Sequence, residues 1–165
     1  MFSLTHLSTT ELHWKQTHLL KMEYELHQQG VLMARLHIPS GFKSLANATC
    51  ADGDWSFERV GILNQKIYVR QPGVETPIAT LDYKTRRIER RDGTPFSAKF
   101  SLWRREYAFF DENGSQLVKI TGKGVINPAL DVEIAPAAAL PPWLLLLGWF
   151  LVILTNNDTI AATAA

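Results

Sequence analysis

The run Trp143-Leu144-Leu145-Leu146-Leu147-Gly148-Trp149-Phe150-Leu151-Val152-Ile153-Leu154 is apolar at every position. A helix built from it has no polar stripe to turn toward water. It is stable only where every side is covered, by lipid or by a closed coat of other secondary structure. Length separates the two. Twelve residues make a helix about 18 Å long, against a hydrocarbon core about 30 Å thick. Extending the uncharged stretch back to Ala135 brings in Pro136, Pro141 and Pro142. Pro142 disfavours helical geometry at the residue before it, so the paired prolines read as a helix start. Downstream, Thr155-Asn156-Asn157-Asp158 is polar and no Lys or Arg follows Lys123, so the basic flanks that anchor a span are missing. The preferred expectation is a central buried helix over residues 143–154. The alternative is a tail-anchored membrane protein whose strand domain faces the cytoplasm.

The residues ahead of this run can supply the coat. Nearly every segment alternates apolar and polar with period two and ends in turn residues, which is the strand signature. The pattern predicts strands over Glu11–Gln16, Leu19–Gln28, Val31–Ile38, Ala46–Cys50, Trp55–Arg59, Lys66–Gln71, Pro77–Tyr83, Arg86–Arg91, Pro95–Leu102, Tyr107–Asp111, Gln116–Thr121 and Leu130–Ile134. Turn signals fall at Gln29-Gly30, Pro39-Ser40-Gly41, Asp52-Gly53, Pro72-Gly73, Asp92-Gly93, Glu112-Asn113-Gly114 and Asn127-Pro128, where Gly accepts positive φ. Between Phe96 and Phe110 the apolar face changes from even to odd positions, predicting a turn or bulge near Trp103–Arg105. About twelve strands followed by one wholly apolar helix have a compact solution. The sheet closes into an antiparallel β-barrel, loses its edges, and wraps the helix.

A chain of 165 residues and 18.6 kDa buries about 70% of its unfolded surface without staples. The expectation is one domain over 1–165, with 158–165 as a flexible tail. Cys50 is the only cysteine, which excludes an internal disulfide and any Cys-cluster zinc site and suits a reducing compartment. The opening Met1-Phe2-Ser3-Leu4-Thr5-His6 lacks the basic and apolar regions of a secretion signal, so the chain reads as cytoplasmic, peripheral at a membrane if it meets one.

The hairpin Tyr107–Val118, the strand Asp131-Val132-Glu133-Ile134 and the helix Trp143–Leu154 with its short polar tail resemble the LURP-one-related group of the tubby-like superfamily, which includes phospholipid scramblases. The resemblance runs from about Leu12 to Asn157 and rests on element order and hydrophobic pattern. It implies a closed barrel of twelve strands threaded by a central hydrophobic helix near the C-terminus. It also implies binding of anionic head groups, which tubby proteins achieve with basic barrel residues; no such residue is carried over position by position. Scramblases add a Pro-rich N-terminal extension, a palmitoylated cysteine cluster and a calcium loop, and this chain matches none of them. Asp111-Glu112-Asn113-Gly114 has its Gly fourth, where a calcium-binding EF loop has it sixth, and position twelve is Gly122.

Catalytic signatures are missing: the sequence has no G-x-x-x-x-G-K-[ST], G-x-S-x-G, H-E-x-x-H or C-x-x-C. A non-enzymatic protein with no cofactor and no metal is expected. His6, His13, His18, His27 and His37 are the histidines, and Glu11/His13 and Glu25/His27 each share a strand face. A metal site from these is the minor reading beside ordinary polar outward positions. Cys50 reads as a small core residue. Trp14, Trp55, Trp103, Trp143 and Trp149 are each expected to fill the core. Because the helix occupies the lumen, no internal small-molecule cavity is expected, and no nucleic-acid partner is.

Charge supplies the candidate site. Residues 81–105 carry eight basic and three acidic groups, against seven of each in 1–80 and two basic to six acidic in 106–165. Alternation over Lys84–Arg91 sets Arg87, Glu89 and Arg91 on one face and Arg86, Ile88 and Arg90 on the other. With Ile88 inward, Arg86 and Arg90 must reach the rims or pair. The expected anion- or lipid-binding residues are Lys84, Arg87, Arg91, Arg104 and Arg105, meeting an anionic phospholipid surface or a protein partner. A merely solvated charged face is the competing reading.

Overall fold

A computed structural model describes the chain except for residues 2, 5, 6, 8, 9, 19–21, 40–43, 125–128, 137–139 and 164–165, and except for the side chains of 10, 18 and 157–163. The readings at His6, the His18 side chain, Leu19, Ser40-Gly41 and Asn127-Pro128 lie outside the described residues. The strands are β1 (Thr10–His18), β2 (Glu23–Gln28), β3 (Val31–His37), β4 (Leu45–Cys50), β5 (Gly53–Val60), β6 (Lys66–Arg70), β7 (Ala79–Asp82), β8 (Arg87–Arg90), β9 (Phe96–Ser101), β10 (Glu106–Phe110), β11 (Gln116–Lys123) and β12 (Ala129–Ile134). The helix α1 (Pro142–Thr163) follows. Each strand pairs antiparallel with its chain neighbours, and β1 pairs with β12 through Thr10↔Val132 to His13↔Ala129, closing the barrel.

Period-two alternation does the sorting. Ala46, Ala48 and Cys50 of β4, Phe57 of β5, Ile67 and Val69 of β6, and Ala79 and Leu81 of β7 all face inward and are buried. The change of apolar phase is a turn at 102–105: β9 buries Phe96 and Ala98, and β10 buries Tyr107 and Phe109.

The apolar run lies inside this barrel. Residues 143–154 are buried on every side. Phe150 stacks on Phe57 of β5 with centroids 5.7 Å apart, while Gly148 faces Ile120 of β11 and Phe109 of β10. In a ring of twelve strands β5 and β11 stand on opposite walls, so α1 threads the lumen. Gly148 is what lets it fit: a Cβ there would stand 2.1 Å from Ile120 Cδ1. No helix among the described residues is long and apolar enough to cross a membrane. The helix does run further than the apolar pattern. The segment from 158, expected as a flexible tail, is helical as far as Thr163. A helix already nucleated in the lumen propagates at low cost through Ala161 and Ala162.

Antiparallel neighbours put alternate connections at opposite ends. The helix enters at the end carrying the β4–β5, β6–β7, β8–β9 and β10–β11 connections, where Trp143 stacks on Phe96 at the start of β9. Leu4, only 1% exposed, helps close this entry rim; its N–H donates to Asp52 Oδ2 at 2.6 Å. At the other end, the exit rim, lie the β5–β6, β7–β8, β9–β10 and β11–β12 connections. There the Tyr107 hydroxyl donates to the Leu151 carbonyl at 3.2 Å and also meets the Thr155 hydroxyl.

Candidate functional site

On one arc of the exit rim the β5–β6 and β7–β8 turns are bonded to each other, and the β7–β8 and β9–β10 turns are each bonded onward, to β9 and to the end of β11. Tyr83 N–H in the β7–β8 turn donates to Gln65 O in the β5–β6 turn at 3.0 Å. Arg86 O accepts from Ala98 N–H at 2.8 Å, and Arg86 Nη1 donates to Phe100 O at 3.2 Å while the guanidinium lies over the Phe100 ring. Phe100 in turn packs on Tyr83 and Tyr107. Beyond it, Arg105 O accepts from Gly122 N–H at 2.9 Å and Arg105 Nη1 donates to Gly124 O at 3.2 Å.

The β7–β8 turn is shaped by Asp82, whose Oδ1 accepts the N–H of Lys84 and of Thr85, each at 2.9 Å. The Thr85 hydrogen bonds, with help from Lys84 N–H and the Lys66 charge, hold the Asp82 carboxyl below the usual carboxylate range. The chain leaves the turn through Arg86 at φ 60°, and the β9–β10 turn likewise ends on Arg105 at φ 49°. Both are left-handed positions where glycine or asparagine is the easier residue.

The structure sorts the expected cations by their place on the barrel. Lys84, Arg87, Arg104 and Arg105 gather on the exit rim, with Arg86 between them. Arg86 and Arg105 are tied to backbone carbonyls, whereas no described residue bonds the side chains of exposed Lys84, Arg87 and Arg104. Arg91 does not belong to the group. It follows β8, about 13 Å along the strand from Arg87 at 3.3 Å per residue, and on the entry rim its Nη2 donates to Thr76 O at 3.1 Å. Arg87 and Arg91 share a face in one dimension, but a strand running from rim to rim separates them. Arg90, with Ile88 buried inward, pairs with Asp92 and covers the Phe96 ring.

Other candidate groups resolve into structural roles. Glu25 lies at the centre of the charged outer wall of β1–β3, 3.1 Å from His27 Nε2, 3.2 Å from Arg35 Nε and 3.5 Å from Lys15 Nζ. Burial works to raise its carboxyl, but the hydrogen bonds from His27 and Arg35 and the Lys15 charge outweigh this and hold it low. Among the described residues no group of three or more His, Cys, Asp or Glu is placed to hold a metal ion. Cys50 is buried and its thiol is pushed up by that burial, the reverse of an activated nucleophile. Asp111 Oδ1 accepts Asn113 N–H at 2.9 Å and Ser115 N–H at 2.8 Å, which makes the calcium-like segment a hairpin turn.

No protein-family model, curated protein or solved structure matches this chain.

One expectation is overturned outright. Trp55, Trp143 and Trp149 are buried and Trp14 packs against the core, but Trp103 is 100% exposed, at the tip of the β9–β10 turn beside Leu102. The apolar alternation of β9 ends before Leu102, so neither side chain points into the barrel. Arg86, expected to reach a rim or pair, does both on Phe100, while Ile62 and Leu63 carry no signal in the apolar alternation. The signal that finds them is topological: in an up-and-down barrel every second connection shares a rim, so 61–65, 83–87 and 102–105 are neighbours in space.

Proposed function

We propose that this protein is a non-enzymatic binding module of the tubby-like, LURP-one-related kind, which associates weakly with anionic phospholipid or phosphoinositide head groups through its exit rim. The observation that carries the reading is the charge of that arc. Segments 61–65, 83–87 and 102–105 hold Lys84, Arg86, Arg87, Arg104 and Arg105, while the two carboxylates that flank them are engaged, Asp82 by the N–H groups of its own turn and Glu106 by Lys119 Nζ at 3.9 Å. Three of these cations are exposed and unengaged by described residues, so meeting phosphate breaks no side-chain bond among the described residues. A filled lumen leaves the outer surface and rims as the places where a ligand can sit.

A cation near an anionic surface contributes about 1 kcal/mol, so three give salt-sensitive adsorption rather than stable anchoring. Cosedimentation with phosphatidylserine or phosphoinositide vesicles at low salt is the test. Wild type and Arg91→Glu should bind alike, and Arg87→Glu/Arg104→Glu should lose binding. Equal binding by all three, or none by wild type, removes the lipid reading and leaves a protein partner for this rim.

A further inference from the structure

On the exit rim, large apolar side chains are also displayed to solvent. Ile62 is 91% exposed, Leu63 94%, Leu102 60% and Trp103 100%. They occupy the tips of the β5–β6 and β9–β10 turns, and the cationic β7–β8 turn lies between the two tips. Neighbouring strands are about 4.8 Å apart, so consecutive turns on one rim stand about 10 Å from each other. The arc is therefore an apolar tip, a cationic turn and a second apolar tip with its own arginines.

We propose that the tips Ile62-Leu63 and Leu102-Trp103 insert into the interfacial layer of an anionic bilayer, while Lys84, Arg87 and Arg104 hold its phosphates, so that the barrel docks end-on with the exit rim against the membrane. This rests on the anionic-lipid reading and adds to it a hydrophobic contribution and an orientation. Trp with a neighbouring Leu and Arg suits the boundary where head groups give way to acyl chains. The entry rim could not substitute for this face. Its connections 29–30, 51–52, 71–78, 91–95 and 111–115 carry Asp52, Glu75, Asp92, Asp111 and Glu112 against Arg91, and the arginines at the adjoining strand ends are engaged, Arg90 with Asp92 and Arg70 with Glu58, so this end offers an anionic surface no free cluster of cations among the described residues. Charge also selects the occupant. A second copy docking exit rim to exit rim would press like charges together, whereas a bilayer supplies both the opposite charge and the apolar phase.

The test measures partition onto phosphatidylcholine vesicles with and without phosphatidylserine, for wild type, Leu102→Ser/Trp103→Ser, Ile62→Ser/Leu63→Ser and Trp103→Leu. The substituted side chains are largely exposed, so unchanged melting temperatures verify the folds. Each serine pair should lower partition about tenfold or more, in line with the apolar area withdrawn from water. Wild type should keep measurable binding at about 1 M salt, where the Debye length is roughly 3 Å and charge alone no longer holds. Acyl-brominated lipids should quench a fraction of wild-type tryptophan emission that is missing in Trp103→Leu, which still binds.

If the serine pairs bind like wild type and nothing is quenched, insertion is wrong and the electrostatic reading survives. If wild type binds no vesicle, both fall. If the serine pairs instead convert an oligomer to a monomer, the tips join copies of this chain and insertion is again overturned.

Discussion

The two ends of the barrel are built from the same strands and differ in almost everything their connections carry. The entry rim is sealed: Leu4 is drawn in through Asp52, Leu140 is buried, and Trp143 stacks on Phe96 as the helix passes in. Its connections are acidic, and its arginines are engaged, Arg90 with Asp92 and Arg91 with the Thr76 carbonyl. On the exit rim cations outnumber carboxylates across three adjacent connections, with Asp82 tied into its own turn; Lys84, Arg87 and Arg104 stand unengaged by described residues, and apolar tips face water. Folding explains the first end, because each of those contacts buries a side chain or satisfies a donor. It does not explain the second, since exposed Trp103 and the Lys84 side chain, which no described residue bonds, bury nothing and satisfy no partner. Exposed apolar tips of this kind are what the proposed docking at an anionic surface would use.

The largest perturbation erases the contrast altogether, because both rims are joined to one helix. Leu146 is fully buried in the lumen, and Leu146→Asp places a charge where no described polar partner stands. The expected loss exceeds about 4 kcal/mol, a large share of a domain's stability. Chemical denaturation should show a collapsed or missing cooperative transition. A midpoint close to wild type would mean that α1 is not enclosed.

A smaller effect tests how tightly the helix is gripped midway between the rims. Gly→Ala inside a helix ordinarily stabilises by about 1 kcal/mol. At Gly148 the sign should reverse, because the new methyl would meet Ile120 Cδ1 at 2.1 Å and Phe109 Cε2 at 3.3 Å. Overpacking of this kind costs about 1–3 kcal/mol. Ile120→Val deletes the opposing methyl, so the double variant should recover much of the loss. If Gly148→Ala raises the melting temperature, the helix has room that the packing denies.

These same features show what could be read before the structure. Barrel, strand count and central helix were legible because each is a periodicity or a run: alternation repeated down the chain and one apolar stretch too short for a bilayer. The helix end was less legible, since Asn156-Asn157-Asp158 breaks the apolar pattern without breaking the backbone. The site was legible in part. Lys84, Arg87, Arg104 and Arg105 stood out as a charge block, but Arg91 was grouped with them by its distance in sequence, although a strand carries it to the far rim. Trp103 was misjudged for the same reason: aromatic content predicts burial on average, and the position of a turn tip depends on which strand ends where. Pairing each connection with the next but one would have joined Ile62-Leu63 and Leu102-Trp103 to the cations.

The smallest effect separates folding from binding at a single carboxylate of the exit rim. Asp82 shapes the β7–β8 turn by accepting the N–H groups of Lys84 and Thr85, and its carboxyl is held below the usual range. A carboxyl lowered in the folded state stabilises the protein above its unfolded pKa, and that contribution is lost as pH falls through the folded value. In Asp82→Asn the amide oxygen can still accept these bonds, without the charge. The variant should therefore melt slightly below wild type at neutral pH, with the gap closing as pH drops below about 4, the ordinary aspartate range. Binding should move the other way. Removing one negative charge beside Lys84 and Arg87 should tighten adsorption to phosphatidylserine vesicles about fivefold at low salt, near the 1 kcal/mol that one charge contributes at an anionic surface. Lower stability with tighter binding is the expected signature. If both decline together, the turn serves binding only by keeping its shape, and the electrostatic account of this rim is wrong.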